Sequence, residues 1–364
     1  MSAEPSGSGV PAAVSGTSSS SGTSSSGASS SSGVRGHRAV VTDAGAALPI
    51  APPTAGPVAI LPAGDGTALH EDAVAAAGGT VGALGADTAG LVWLDPRDPS
   101  GLADALDATP SVGWVQLPFA GVDAFAGLIA EHGDRVLFTS AKGAYAEPVA
   151  EHALALTLGT LRVLQKRARA RSWATEPEGV SLYGRNVVVI GAGGIALEYI
   201  RLLAPFEVSV TVVRRSSSPV AGADRTVTTD QLDEVLPDAD VVMIAAAMTS
   251  GTSKLFGPRQ FAIMKPSARL VNIARGGLVD TDALVDALRS GAIAAAGLDV
   301  TDPEPLPDGH PLWDQPGAII TPHQADTPEM VAPLLAERVR VNTVAFLGGA
   351  GEGFVGVVDP VAGY

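Results

Sequence analysis

Residues 187–196 run Val-Val-Val-Ile-Gly-Ala-Gly-Gly-Ile-Ala. The four apolar residues read as a short strand, the glycines as a turn, and the following Ile195–Leu203 as a helix. The spacing is G-x-G-x-x-G/A, with Ala196 in the last place. In that pattern Gly191 permits the tight turn and Gly193 lets the backbone approach a pyrophosphate. The small Ala196 lets the helix pack close to its strand. The pyrophosphate would rest on the N–H groups and the positive dipole end of the helix. Gly191, Ala192, Gly193, Gly194 and Ile195 are therefore the candidate dinucleotide contacts. In a chain with 43 glycines the context carries the assignment: the turn stands between a strand and a helix, at the head of an α/β region.

The next strand bears on which nicotinamide is bound. A site for NAD usually places Asp or Glu about 20 residues on, against the ribose 2′-hydroxyl. Val208–Val213 ends instead in Arg214-Arg215-Ser216-Ser217-Ser218. Guanidinium forks and hydroxyls suit a 2′-phosphate, which a carboxylate would repel. With Arg214, Arg215 and Ser216 as its contacts, NADP is the preferred cofactor. The alternative makes both arginines surface residues at a strand end, with NAD bound.

Outward from this turn the same rhythm continues. Downstream strands are expected at Val241–Ala245, Arg269–Ile273, Ile293–Leu298 and Ala318–Thr321, with helices at Gln231–Leu236, Gln260–Met264 and Asp282–Arg289. Six short apolar strands with helices between them describe a doubly wound sheet. Upstream, Val58–Leu61, Leu91–Leu94, Trp114–Leu117 and Val136–Thr139 alternate with Glu71–Ala77, Leu102–Leu106 and Val122–Glu131, a second βαβα series. A long helix from about Glu147 to Arg171 joins the two series, its basic end suiting a helix C-terminus. A last helix, about Pro328–Leu347, returns the chain to the smaller first series. The expected architecture is α/β, with two Rossmann-like, doubly wound parallel-sheet domains. The cofactor domain (147–323) is inserted in a discontinuous substrate domain (37–146 and 324–364).

Residues 1–36 contain 15 Ser and 7 Gly, and such a segment buries too little to offset its ordering entropy; it reads as a flexible tail. The remaining composition narrows the function. The net charge of −15 without a basic stretch offers no footprint for nucleic acid or an anionic membrane. Zero cysteines remove disulfides, thiolate nucleophiles and Cys-ligated metals together. No apolar run approaches the ~20 residues of a membrane helix, and the N-terminus has no basic start leading into an apolar run. A soluble, cytoplasmic protein without a metal is expected.

Titratable residues follow the strands of the second series. Arg275 stands just past Arg269–Ala274, Asp299 and Glu304 past Ile293–Leu298, and His323 past Ala318–Thr321. In an open parallel sheet the carboxyl ends of the strands share one edge, where ligands bind. The glycine turn also follows a strand, so cofactor, Arg275, Glu304 and His323 converge there. Each residue alone would pass for a surface or structural group. Together they supply an anion anchor, an acid/base and a carboxylate to orient it.

At this point the chain resembles the D-isomer-specific 2-hydroxyacid dehydrogenases, from about Trp114 to Val344 and nearest in character to glyoxylate/hydroxypyruvate reductases. The resemblance rests on Trp114-Val115-Gln116-Leu117-Pro118-Phe119-Ala120-Gly121-Val122, Val149-Ala150-Glu151-His152, the glycine turn, Asn272–Gly277, Asp299–Leu306 and Thr321-Pro322-His323. Arg275 and Glu304 stand 29 residues apart, and Glu304 and His323 19 apart, as in the family's Arg–Glu–His set. What the resemblance implies is hydride transfer between nicotinamide C4 and C2 of a small 2-oxo or D-2-hydroxy acid. His323 acts as general acid/base, Glu304 orients its ring, and Arg275 grips the substrate carboxylate. Backbone N–H groups around Ala120–Val122, with Gly121 among them, would complete the carboxylate site. Phe119 is a pocket wall or a core side chain. Ala274 lies by the cofactor, and Asp299 faces the nicotinamide side or has a structural role at the strand end. The resemblance also implies a homodimer.

Departures accompany it. Ala247-Met248-Thr249 stands where a proline is common, which leaves the backbone beside the nicotinamide ribose less restrained. Glu198 and Tyr199 have no assigned role, and His152 reads as structural. One enzymatic alternative is oxidation of D-3-phosphoglycerate or another D-2-hydroxy acid with NAD, against which the short stretch after His323 counts modestly. A different class of alternative is a nicotinamide-loaded redox sensor or scaffold. Retention of Arg275, Glu304 and His323 favours the enzyme, since cofactor binding alone needs none of them.

Overall fold

The computed structural model describes residues 37–38, 48–64, 66–173, 175–349 and 351–360. The tail expected at 1–36 lies outside the described residues. All ten apolar runs read above are strands, and every pairing between them is parallel. The first four form one sheet in chain order: β1 (Val58–Leu61), β2 (Gly90–Trp93), β3 (Trp114–Gln116) and β4 (Leu137–Thr139). Its helices are α1 (Ala68–Ala76), α2 (Pro99–Ala108) and α3 (Ala126–His132).

The second sheet holds β5 (Asn186–Ile190), β6 (Ser209–Arg214), β7 (Arg225–Thr228), β8 (Val241–Ile244), β9 (Arg269–Asn272), β10 (Ala295–Leu298) and β11 (Ala318–Ile320). Their spatial order is β11-β10-β9-β8-β5-β6-β7. The sheet thus has seven strands where six were expected. The missed strand, β7, is Arg-Thr-Val-Thr at the sheet's edge, with only Val227 buried, so it carries almost no apolar signal. The chain fills the sheet outward from β5 in both directions, first to β6 and β7 and then to β8 and beyond. The crevice between the carboxyl ends of β5 and β8 is therefore the topological switch point, where doubly wound sheets bind ligands.

The remaining helices are α4 (Ala146–Leu161), α5 (Leu164–Ala168), α6 (Gly194–Leu203), α7 (Leu232–Val235), α8 (Pro258–Ile263), α9 (Thr281–Ser290) and α10 (Pro328–Gly348). The single helix expected over 147–171 is interrupted at Val163, whose φ of +56° is left-handed. Up to Leu161 the helix buries Ala153, Leu156 and Thr157 against α6 and the β9–β11 strands. Beyond it Leu164 is exposed and the sequence is basic, so no apolar face remains to drive propagation. Helix α6 is fixed to α4 by Tyr199, fully buried, whose hydroxyl lies 2.8 Å from Thr157 Oγ1. Burial pushes that phenol above its ordinary range. Glu198 is buried beside it and accepts from Arg201 Nε at 2.6 Å. Of the two residues without a role in the sequence reading, Tyr199 is thus an interhelical strut and Glu198 an ion-pair partner within α6.

Helix α10 packs on α1 and β3, so the chain visits the four-stranded sheet first and last. Phe346 meets Trp114 with ring centroids 5.0 Å apart. Asn342 donates to Gln116 Oε1 at 2.7 Å, and the buried Arg338 donates to the carbonyls of Ser140 and Lys142. Among the described residues no helix is long and apolar enough to cross a membrane.

Candidate active site

The glycine turn opens the crevice at the switch point. Gly191 has φ +104°, and a Cβ there would lie 2.7 Å from the carbonyl oxygen of Ala245, just past β8. Only glycine lets the two strand ends come this close. Gly193 is the N-cap of α6, and a Cβ there would meet nothing within 4 Å, so its outer side is open. A ten-residue helix whose first-turn N–H groups face open space fits a dinucleotide pyrophosphate. Ile190 pairs with Val213, which sets Arg214, Arg215 and Ser216 beside that turn; Arg214 is half-buried and the other two are exposed. No carboxylate occurs between Glu207 and Asp224. The Ala247–Thr249 backbone, expected to be less restrained without proline, is tied by Thr252. Its Oγ1 accepts from Thr249 N–H at 2.8 Å and donates to Ala247 O at 2.9 Å.

Along the same edge, Asn272 shapes the loop after β9, donating to Arg275 O at 2.9 Å and accepting from Ala274 N–H at 3.1 Å. Gly276 then lies so close to the next loop that a Cβ would be 1.9 Å from the carbonyl oxygen of Thr301. That contact presses the Arg275 loop onto the Thr301–Glu304 loop. Glu304 Oε2 accepts from Thr301 N–H at 3.4 Å, and Oε1 accepts from His323 Nδ1–H at 2.6 Å. With Nδ1 committed to the carboxylate, Nε2 is the nitrogen left to exchange a proton. The ring is about half-exposed, so it can reach a ligand in the crevice.

His323 itself has φ +52°, left-handed for a residue with a Cβ, a conformation that costs about 1 kcal/mol or more. What holds it is Asp299, 2% exposed at the end of β10. The backbone carbonyl of Asp299 accepts from His323 N–H at 2.8 Å. Its carboxylate accepts from Thr321 Oγ1 at 2.6 Å, Gln324 N–H at 2.9 Å and Ala325 N–H at 3.1 Å. His152 on α4 adds a contact at 3.5 Å and lies 2.9 Å from Thr321 Oγ1. Burial alone would raise the Asp299 carboxyl, but the donors from His152, Thr321 and Gln324 outweigh it and hold it below the usual carboxylate range. Asp299, expected toward the nicotinamide or as a structural group, has both carboxylate oxygens engaged by protein.

The first sheet contributes the turn after β3. Phe119 is exposed and stands edge-on to Tyr145 at 6.4 Å, which excludes the core-packing alternative. The Tyr145 hydroxyl donates to Pro118 O at 2.5 Å, and Ala141 N–H donates to Phe119 O at 3.0 Å; together they fix the turn. Ala120 is exposed, and Gly121 abuts Arg275: a Cβ on Gly121 would lie 1.7 Å from Nη2 of the guanidinium. The Arg275 side chain thus crosses from the second sheet to the backbone of the first. There Nε and Nη2 donate to Asp123 Oδ2 at 3.2 and 2.9 Å, while Nη1 donates to Ala274 O at 2.8 Å.

Residues 152–325 match the family model for the D-isomer specific 2-hydroxyacid dehydrogenase NAD binding domain. The chain is 34% identical over 267 residues to glyoxylate/hydroxypyruvate reductase B of Pectobacterium atrosepticum, covering 70% of this chain and 78% of that one. The chain belongs to the D-isomer specific 2-hydroxyacid dehydrogenases. It is 40% identical over 265 residues to the "Uncharacterized protein in proB 3'region" of Corynebacterium melassecola (71% and 86% covered). The D-isomer specific 2-hydroxyacid dehydrogenase of Xanthobacter autotrophicus Py2, solved in complex with NADPH and MES, superposes with a TM-score of 0.72 at 26% identity (85% and 100% covered). The chain spans 54% of the length of the D-3-phosphoglycerate dehydrogenase of Mycobacterium leprae, to which it is 31% identical over 289 residues, 72% of this chain. Membership places the dehydrogenase among nicotinamide-dependent oxidoreductases acting on CH–OH donors.

Sequence reasoning missed three residues of this site. Asp123 stands two places after Gly121, but that turn was read for its backbone alone. Thr321 was noted within Thr-Pro-His, although nothing in the pattern shows that its hydroxyl bridges His152 and Asp299. Asp326, half-buried three residues past His323, left no signal at all. Burial, with the Asp299 charge, raises its carboxyl above the ordinary range against the opposing pull of His323 and His152.

Proposed function

We propose that this dehydrogenase is an NADP(H)-preferring reductase of small 2-oxo acids, interconverting them with D-2-hydroxy acids. The observation that carries the reading is the His323–Glu304 pair at 2.6 Å, on the sheet edge that also bears the glycine turn and Arg275. The nicotinamide, when bound, supplies or accepts the hydride. Gly191 through Ile195 would hold its pyrophosphate, with Ala274 alongside. Arg214, Arg215 and Ser216 would receive the 2′-phosphate, a reading supported by the lack of a carboxylate at that corner.

The chain's own residues then act on the acid. Arg275 and the backbone N–H groups around Ala120–Val122 take its carboxylate, which fixes the 2-oxo carbon against the crevice. Phe119 closes one wall. Protonated His323 donates from Nε2 to the carbonyl oxygen, and Glu304 on Nδ1 holds the ring in place for the transfer. In the oxidising direction the neutral ring accepts the hydroxyl proton. Residues 37–146 with 324–364 would form the substrate-side domain and 147–323 the cofactor domain, closing on the acid to exclude water. A homodimer is proposed with it, supported by the exposed Leu164, Trp173 and Tyr183 near the end of α4.

Initial rates with NADPH and, separately, NADH against glyoxylate, hydroxypyruvate, pyruvate, 2-oxoglutarate and phenylpyruvate test this reading. Faster turnover with NADPH supports it. Faster turnover with NADH keeps the mechanism and removes the cofactor preference. His323→Ala should lower kcat by roughly 10²–10⁴-fold while cofactor still binds. Failure to turn over every 2-oxo and D-2-hydroxy acid with cofactor bound overturns the enzyme reading.

A further inference from the structure

Asp123 occupies the donors that the proposed mechanism assigns to the substrate. Its Oδ2 takes both Nε and Nη2 of Arg275, the two nitrogens that face the turn after β3. The pair lies against Gly121: the same built Cβ that comes 1.7 Å from Arg275 Nη2 comes 3.2 Å from Asp123 Oδ2. Three features thus meet at one point, namely the guanidinium fork, the backbone turn expected to receive a carboxylate, and a carboxylate of the chain itself. The Asp123 side chain is 68% exposed and that of Arg275 38%. An ion pair so open to water is weak, so a ligand carboxylate can displace it cheaply.

Displacement does not remove the charge. Asp123 stays tethered two residues from Gly121, beside the Arg275 loop. Asp326, half-buried beyond His323, adds a second carboxylate whose field reaches the histidine. A monocarboxylate brings one negative group, which the freed fork neutralises. A 2-oxo acid with a second carboxylate or a phosphate brings another into the same negative surroundings, where at a few ångströms the repulsion costs an appreciable part of its binding.

Resting on the reading of Arg275 as the carboxylate anchor, we propose that Asp123 is a specificity-determining residue. It competes with the substrate carboxylate for the Arg275 fork and then acts as a charge filter that favours monocarboxylate 2-oxo acids over dianionic ones. Asp123→Asn in the full chain tests this, since the amide keeps the shape and loses the charge. Oxamate, a non-reducible mimic of a 2-oxo monocarboxylate, is titrated against the complex with reduced nicotinamide, and nicotinamide fluorescence gives its Kd. The ratio of kcat/KM for glyoxylate and 2-oxoglutarate is measured in parallel.

The variant should bind oxamate about two- to five-fold more tightly, the scale of an exposed ion pair. It should gain about ten-fold in kcat/KM on 2-oxoglutarate and less on glyoxylate. Unchanged or weaker oxamate binding overturns the competition, and equal gains on the two acids overturn the filter. A fall in Tm with both readouts unmoved makes the pair merely structural and overturns the proposal. If the wild-type complex neither binds oxamate nor reduces any 2-oxo acid, the enzyme reading fails on the wild type alone, and this proposal falls with it.

Discussion

At Gly121 a single methyl group decides whether Arg275 can sit where it does. A Cβ there would fall 1.7 Å from the guanidinium, well inside any real contact, so the arginine must swing away from the turn. Under the proposed mechanism Gly121→Ala should therefore raise KM for the 2-oxo acid at least ten-fold while the Kd of the cofactor, assigned there to the glycine turn, stays the same; steady-state kinetics with a cofactor titration checks both. Asp326 gives a prediction of the opposite kind. Its folded carboxyl titrates above the unfolded value, burial being the main cause. Below about pH 4, an ordinary Asp value, both states are protonated and the residue costs nothing. As pH rises the unfolded chain ionises freely while the folded one resists, so stability falls until the folded group has ionised. Asp326→Asn should raise Tm at pH 7, and thermal melts across pH should show that gain vanishing towards pH 3.5. Gly121 was read as a backbone member of the carboxylate site, but its contact with the guanidinium was not legible, nor was any part for Asp326, because each depends on what a different strand end brings beside it. Arg275, Glu304 and His323 were legible as candidates, because each stands in the loop that follows its own strand and the parallel sheet aligns those ends.

Among the elements, α4 explains most of what the sequence showed and failed to show. Its apolar body announced a helix, and its contact with the sheet is closer than ordinary side chains allow. Gly297 in β10 faces Leu156, whose Cβ would be 2.9 Å from an added methyl, and Gly159 on the helix faces Ile319 Cδ1 at the same distance. Gly297→Ala should overpack this seam and destabilise the protein by about 1–3 kcal/mol, read as a lower urea midpoint at unchanged m-value. Where the helix stops was invisible, since the basic residues after Leu161 suit a helix end and an irregular segment alike. Strand β7 escaped for a related reason: one buried valine among polar neighbours gives no period to recognise. The central strands were readable to within a few residues because burial on both faces leaves them almost wholly apolar.

Across the whole molecule, the return of α10 to the four-stranded sheet makes that sheet depend on the last part of the chain. Trp114, Gln116, Ser140 and Lys142 all find partners on α10. Deleting residues 328–364 should strip these groups and abolish a cooperative unfolding transition for the first sheet, with binding of ANS to the exposed apolar surface as the readout. The two sheets also divide the proposed labour unequally. Histidine, glutamate, arginine and the glycine turn all ride on the seven-stranded sheet, whereas the four-stranded sheet meets them through one short turn, Phe119 to Asp123. Under the proposed mechanism, an altered diet and an unaltered reaction are compatible. Descendants of this chain can rewrite five consecutive codons and change which acids are admitted, while the apparatus that reduces them is inherited untouched.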